Sequence, residues 1–399
     1  MLTGVAAAVY VFLETGSAFW LGALTALTAA PTLLVAVIAP WIDRRRRRSV
    51  MLLADLVAAT APATLLVLAL AGELAVWHLL VGGAVSGFGT ALQLVASQAA
   101  LPSLVPPDQL DRANGLRQLG PAIAIVAAPA LATPLLVFGG LELVFAIDLV
   151  SFGIGVAALL LSRFDDRLSA NVDDDGSWRS AWTWLRRSDP ALLALMLATA
   201  VVNLAFAVFN VALLATGTDV VGAGRVGLVL SAGGLAMIAG SIHAGRHGLD
   251  PDRIRSVCRG LIAAMAGCLV AAARPSGALL ALGCVIALGF VPIVNATMAT
   301  IYNDRVPVAM QGRVFALRGA ISQVLLPVGS LMAGVVIVRV AGPALDAPLA
   351  GPVLRAAVGG DSRAAALTLA MVGLTLGAVA AGLARSPLRR AFREGPDLQ

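Results

Sequence analysis

The sequence contains no lysine. Its 28 basic residues are all arginine, which removes the Walker A phosphate-binding loop and Schiff-base catalysis together. ATP hydrolysis within this chain is therefore not its drive, and any uphill work is expected to draw on an ion gradient. Charge of either sign is scarce: 13% of residues are charged, against about 25% in an average soluble domain. Cysteine is rare as well. Cys258, Cys268 and Cys284 stand apart in apolar sequence without metal-ligand spacing and read as small core residues. His243 and His247 share a helical i, i+4 spacing, but neither a third ligand nor an HExxH glutamate accompanies them, so a loop-facing pair near a span end is expected. No nucleophile–base pair, acid dyad or metal cluster stands out, which argues against an enzyme and for a protein that needs no cofactor.

What is abundant is apolar surface. Hydrophobic residues make up 59% of the chain and the mean hydropathy is +0.91, the composition of an integral membrane protein whose solvent is a lipid bilayer. Windows of about 20 apolar residues predict full spans near 19–41, 49–71, 75–100, 113–138, 141–161, 190–214, 222–244, 254–273, 277–300, 313–340 and 364–384. Residues 1–13 form a shorter apolar run, which as a helix reaches about 20 Å across a core of about 30 Å. It lacks the basic head and small-residue cleavage site of a signal peptide, and Met1 is expected to lie inside the first helix.

The first of these full spans, the second when the short run is counted, runs out at Ala39-Pro40-Trp41-Ile42-Asp43 followed by Arg44 to Arg48. Arginine clusters at span ends stay in the cytosol. If the short first run points outward and the spans alternate, five arginines (Arg225, Arg274, Arg339, Arg355 and Arg363) fall outside and the other 23 inside. That partition predicts twelve spans, counting the short one, with both termini cytoplasmic. A run of arginines also suits anionic lipid or nucleic acid, but in this setting it marks a solvated inner loop and no nucleic-acid partner is expected. The chain then divides into a first bundle (1–161), a polar linker (162–189) and a second bundle with a tail (190–399). In the linker, Trp178, Trp182 and Leu185 oppose Arg179, Arg186 and Arg187, which suits either a helix lying in the membrane interface or one packed against span ends.

The halves echo each other. Val105-Pro106 recurs as Val306-Pro307, Arg112 as Arg313 and Leu116-Arg117 as Leu317-Arg318, each across the same interval of about 200 residues. Six plus six spans in a parallel repeat is the plan of the major facilitator superfamily, with the substrate site at midplane between the halves. The stretch Ala39 to Arg48 resembles that superfamily's loop between spans 2 and 3. Glu14-Thr15-Gly16-Ser17-Ala18, Ala100 through Pro106, Asp111-Arg112-Ala113-Asn114 and Arg305 through Leu317 resemble the branch that contains the enterobactin exporter and macrolide-efflux proteins. Two departures stand out: Ala128-Pro129-Ala130 replaces the Gly-Pro pattern of span 5, and span 4 carries no arginine.

The resemblance implies an all-α membrane fold of two six-helix bundles, and a monomeric secondary transporter that exports a small amphipathic compound (a drug, siderophore or secondary metabolite) in exchange for protons. A non-transporting relative acting as a scaffold is the alternative. It further implies that spans 1, 4, 7 and 10 line the cavity. On them lie Tyr10; the one-faced stripe Ser86, Thr90, Gln93 and Ser97; its counterpart Thr199, Asn203, Phe206 and Asn210; and Asn295. That ring is polar and nearly uncharged. On the family's geometry Asp43 and Arg44 would meet Arg112, Gly312 and Arg313 as a cytoplasmic gate. Asp55 and Asp148 lie about two turns inside their spans, where an ionised, lipid-facing carboxylate costs about 2.5–3.5 kcal/mol. They are candidates for structural pairing or proton coupling, with Glu14 as a further proton site.

Overall fold

A helix satisfies all its backbone hydrogen bonds within its own segment, so in lipid it is the element open to a single apolar stretch. The computed structural model describes residues 1–34, 45–100, 110–162, 178–247, 250, 252–273, 276–348, 351–352, 354 and 363–385, and every regular element among them is helical. Nine helices among the described residues are long and apolar enough to cross a membrane. The chain divides into two compact units, Met1–Asp173 with Ala223–Gly227 and Asp174–Gly222 with Leu228–Gln399.

The first unit contains α1 (Leu2–Thr15), α2 (Ala18–Ala29), α3 (Arg47–Leu70), α4 (Val76–Ala100) and α5 (Leu110–Leu161). α1 stops at Gly16, whose left-handed conformation returns its N–H to Phe12 O, and the Ser17 side chain accepts from Phe19 N to start α2. The two spans expected over 113–138 and 141–161 are limbs of one element, α5. They part at Gly140 (φ 68°, ψ −174°), a region essentially closed to residues with a Cβ, so one glycine does the work of a loop. Residues 35–41, the inner part of the second expected span, lie outside the described set.

The second unit contains α6 (Trp178–Ser188), α7 (Pro190–Val221), most of α8 (Ala223–His247), α9 (Arg253–Ala273), α10 (Gly277–Gly289), α11 (Val291–Arg305), α12 (Val308–Val335), a π-helical turn (Val336–Ala341), the short α13 (Gly342–Asp346) and α14 (Arg363–Arg385). Three differences from the sequence expectation have physical reasons. α7 continues past residue 214 through Thr216 and Thr218, because both side chains are buried and the helix is released only at Gly222. The span expected over 277–300 breaks at Phe290, where Pro292 in the next turn has no N–H to continue the ladder. Part of the stretch 341–362 expected as loop is helical, since α12 passes through the π turn into α13. α6 packs on α12 with Ala181 and Leu185 fully buried and Arg186 and Arg187 exposed.

Helices in lipid gain little from apolar burial against each other and associate through close approach of small residues. In the first unit Gly89 of α4 faces the backbone of α3: a Cβ there would stand 2.7 Å from Ala54 O and from Ala58 N. In the second unit Gly267 of α9 and Gly283 of α10 approach reciprocally, each Cβ position lying 2.5 Å from the other's carbonyl oxygen. Gly329 of α12 likewise sits over Leu204 and Ala207 of α7. One arginine of the run Arg44 to Arg48 also joins helices. Arg48, at the head of α3, donates from Nε to Leu159 O (3.2 Å) and from Nη2 to Leu160 O, capping the last carbonyls of α5 with a cation, worth about 0.3–1 kcal/mol at such a terminus.

Gly140→Ala and Gly283→Val are expected to cost about 1–3 kcal/mol each. Both should lower the thermal midpoint of the purified protein by several degrees, whereas Gly245→Ala, with nothing near its Cβ position, should not. Equal midpoints for all three would remove these approaches as constraints on the fold.

Candidate functional site

A side-chain pairing of polar residues within the span region of the first unit follows from the Gly89 contact. Gln93 lies one helical turn beyond Gly89 on α4, and Asp55 adjoins Ala54 on α3. The approach of the two backbones therefore brings amide and carboxylate together, and Gln93 Nε2 donates to Asp55 Oδ2 at 3.4 Å. Gly155, in the second limb of α5, leaves open space on the other side: a Cβ there would be 3.9 Å from Asp55 Oδ2. Both residues are half-buried, about two turns in from the start of α3. No described arginine pairs with Asp55. The other amide atom, Gln93 Oε1, is buried and has no hydrogen-bond partner among the described residues. An amide with one engaged donor and one idle acceptor matches a carboxylate in either protonation state, since exchanging its two ends lets a protonated Asp55 donate to Oε1.

The remaining residues of this stripe differ in setting. Ser86 is half-buried, Thr90 is exposed, and Ser97 turns its hydroxyl back to Leu94 O at 3.0 Å. Gln93 thus faces α3 as well as lying on the stripe predicted to line the cavity. Asp148 is 6% exposed and engaged: it accepts from Thr3 N at 3.3 Å, and the Met1 amino nitrogen lies 3.8 Å away. The two intramembrane acids of the first unit therefore have different partners, an amide side chain for Asp55 and the backbone of α1 for Asp148.

At the opposite end of the first unit Tyr10 and Glu142 line one cavity of about 460 Å³, walled by Leu13, Leu74, Leu136 and Leu141. Two positive-φ glycines, Gly72 after α3 and Gly140 within α5, turn the chain around it. Glu14 is exposed, one turn from Tyr10 on α1, and both carboxylates lie within electrostatic reach of the Tyr10 hydroxyl. Glu142 is absent from the residues singled out by sequence. Its signal was an acid just after Gly139-Gly140 at the head of a span, a place where a charge is tolerated and so draws no notice.

In the second unit Thr199 Oγ1 donates to Leu195 O at 2.8 Å and Asn210 Nδ2 to Phe206 O at 2.9 Å. Phe206 stacks edge-on with Phe209, centroids 5.9 Å apart. Asn203 is half-buried and Asn295 of α11 exposed. A charged cluster that the span pattern did not reveal sits at the head of α7. Asp189 caps that helix through Leu192 N (2.9 Å) and takes Arg305 Nε on its other oxygen at 2.7 Å. Beside it Tyr302 is fully buried and carries Arg318 over its ring, 4.5 Å from the centroid. Ser188-Asp189-Pro190 is a helix-start signature that could have flagged the cap. Arg313 is half-buried in the first turns of α12 and donates to Met310 Sδ. Asp43 and Arg44, and the side-chain surroundings of Arg112 and Gly312, lie outside the described residues.

Known proteins agree on what this helical plan is for. The family model described as Major Facilitator Superfamily matches residues 1–330. Macrolide efflux protein A of Streptococcus pyogenes is 26% identical over 334 residues, covering 81% of this chain and 82% of that protein. The protein of the same name from Enterococcus faecalis is 25% identical over 295 residues, covering 72% and 91%. Among solved structures, a POT family peptide transporter in complex with alafosfalin aligns with a TM-score of 0.71 at 12% identity over 99% of this chain and 92% of that one. A D-xylose-proton symporter gives 0.66 at 12% identity over 94% of both. At such identities the structural likeness speaks for the fold alone. The fold, the match over most of the length and the polar sites inside apolar helices converge: this chain is a multi-pass membrane transporter of small molecules, not an enzyme, and belongs to the Major Facilitator Superfamily.

Proposed function

We propose that the chain exports a small amphipathic compound of the drug or secondary-metabolite class in exchange for protons, acting as a monomer with both termini in the cytosol. The observation that carries the proton part is the Asp55–Gln93 pair. An intramembrane carboxylate held by a guanidinium is locked in its charged form, whereas one whose partner is an amide, in space left open by Gly155, can take up a proton without stranding a cation and keeps a hydrogen-bond donor when it releases one. The engagement of Asp148 by α1 supports a positioning role for that acid, and leaves Glu14 as a second proton site at the outer end. Support for export of an amphipathic compound comes from the two relatives named for macrolide efflux and from polar, uncharged stripes on α4 and α7. Tyr10, Ser86, Thr90, Thr199, Asn203, Phe206, Asn210 and Asn295 are the proposed lining of the path. The partition of arginines supports the orientation.

Inside-out vesicles carrying the protein, offered a labelled macrolide, should accumulate it only while a proton gradient stands; accumulation that survives a protonophore would sink the coupling. Asp55→Asn should cut gradient-driven accumulation by about tenfold or more, a change of about 1.4 kcal/mol or more in driving force, while leaving downhill exchange intact. Wild-type accumulation by Asp55→Asn would transfer the role to another acid. A fluorescent protein fused to the C-terminus should fold and glow in a bacterial host; an active phosphatase at the same place would reverse the orientation.

A further inference from the structure

The cavity at the outer end of the first unit is not explained by the coupling pair, which lies on α3 and α4 towards their opposite ends. Its walls are the leucines at 13, 74, 136 and 141, and its polar groups are the Tyr10 hydroxyl and the Glu142 carboxylate. Glu142 is half-buried, and no described cation lies against it. Its placement is built rather than incidental. Gly140 takes a conformation closed to other residues, and the Glu142 carboxylate folds back over the very place a Cβ would occupy. A carboxylate held half out of water against leucine side chains raises the local demand for a counter-charge. One carboxylate and one phenol are too few hard oxygens for a divalent metal, which takes six or more. The leucine walls favour an apolar body over a sugar. A volume of about 460 Å³ lies within the roughly 300–1,000 Å³ of drug-sized sites, and the Tyr10 ring offers a face for a cation.

We propose that this cavity binds the positively charged end of amphipathic organic cations, with Glu142 as counter-ion and Tyr10 beside it, and that it sets a preference for cationic over neutral compounds. The proposal deepens the export reading by naming a substrate class. The vestibule is separate from the uncharged stripes, which supply no counter-charge of their own.

Equilibrium binding of tetraphenylphosphonium to the full chain in nanodiscs tests it without any transport step. The parent should bind this cation, and should bind neutral triphenylphosphine oxide more weakly. Glu142→Gln should weaken the cation by about tenfold to a hundredfold, the range of a lost charged contact, and leave the neutral compound unchanged. Leu136→Trp, which fills the cavity from its wall, should weaken both. Thermal midpoints and spectra of the variants verify their folding. Equal affinity of parent and Glu142→Gln for the cation, or full binding by Leu136→Trp, would overturn the proposal. Its failure is distinct from failure of proton coupling. Protonophore-insensitive efflux with intact cation binding refutes only the coupling, and gradient-driven efflux with no effect of Glu142→Gln on binding refutes only the vestibule.

Discussion

The distance between two helix backbones is the constraint on which this molecule rests. In a bilayer the surroundings are as apolar as the side chains, so contact must come from surfaces that fit closely, and glycine permits the closest fit. Gly89 against Ala54 and Ala58 fixes how near α4 comes to α3, and the next turn of α4 then carries Gln93 onto Asp55. A larger residue at 89 would widen the gap and leave an acid and an amide facing each other across apolar space. The same device recurs at Gly267 with Gly283 and at Gly329 over Leu204. Shape complementarity and polar chemistry are thus one feature in the first unit, because the tight spot is also where the charge sits.

The fixed charges do a different job from the intramembrane acids. Arg48 closes the end of α5, and Asp189 both opens α7 and takes Arg305 from the end of α11. Each joins a helix terminus, where backbone groups lack partners, to a second helix, and each does so at a span end rather than in the middle. Asp55 belongs to the other class. It lies within a span, its partner is neutral, and half of that partner's hydrogen-bonding capacity is idle.

Much of the architecture could be read from the sequence because span length and apolar content are set by the bilayer. The expected spans near 49–71, 75–100, 254–273 and 364–384 reappear as α3, α4, α9 and α14 almost unchanged. Breaks were less legible. A window of hydropathy does not register that Gly140 bends a helix in place, or that Pro292 interrupts one at Phe290, since both act through backbone geometry. Pairings were least legible. Asp55 and Gln93 each drew notice alone, but their meeting depends on Gly89, a residue without a side chain to signal it. Glu142 and Asp189 were missed because span ends and loops tolerate acids, so only the cavity and the capping geometry distinguish them.

The cap that Arg48 places on α5 has a consequence for how the protein meets changes in acidity. A guanidinium keeps its proton at every pH a cell can reach, whereas a buried ammonium readily gives one up. In a chain with arginine at all 28 of its Lys/Arg positions, the cationic side of each tie between helix ends keeps its charge whatever the acidity. Any response to acidity is left to the other partners, the chain's 22 acids and three histidines, and at the Asp189–Arg305 tie it falls to the carboxylate alone.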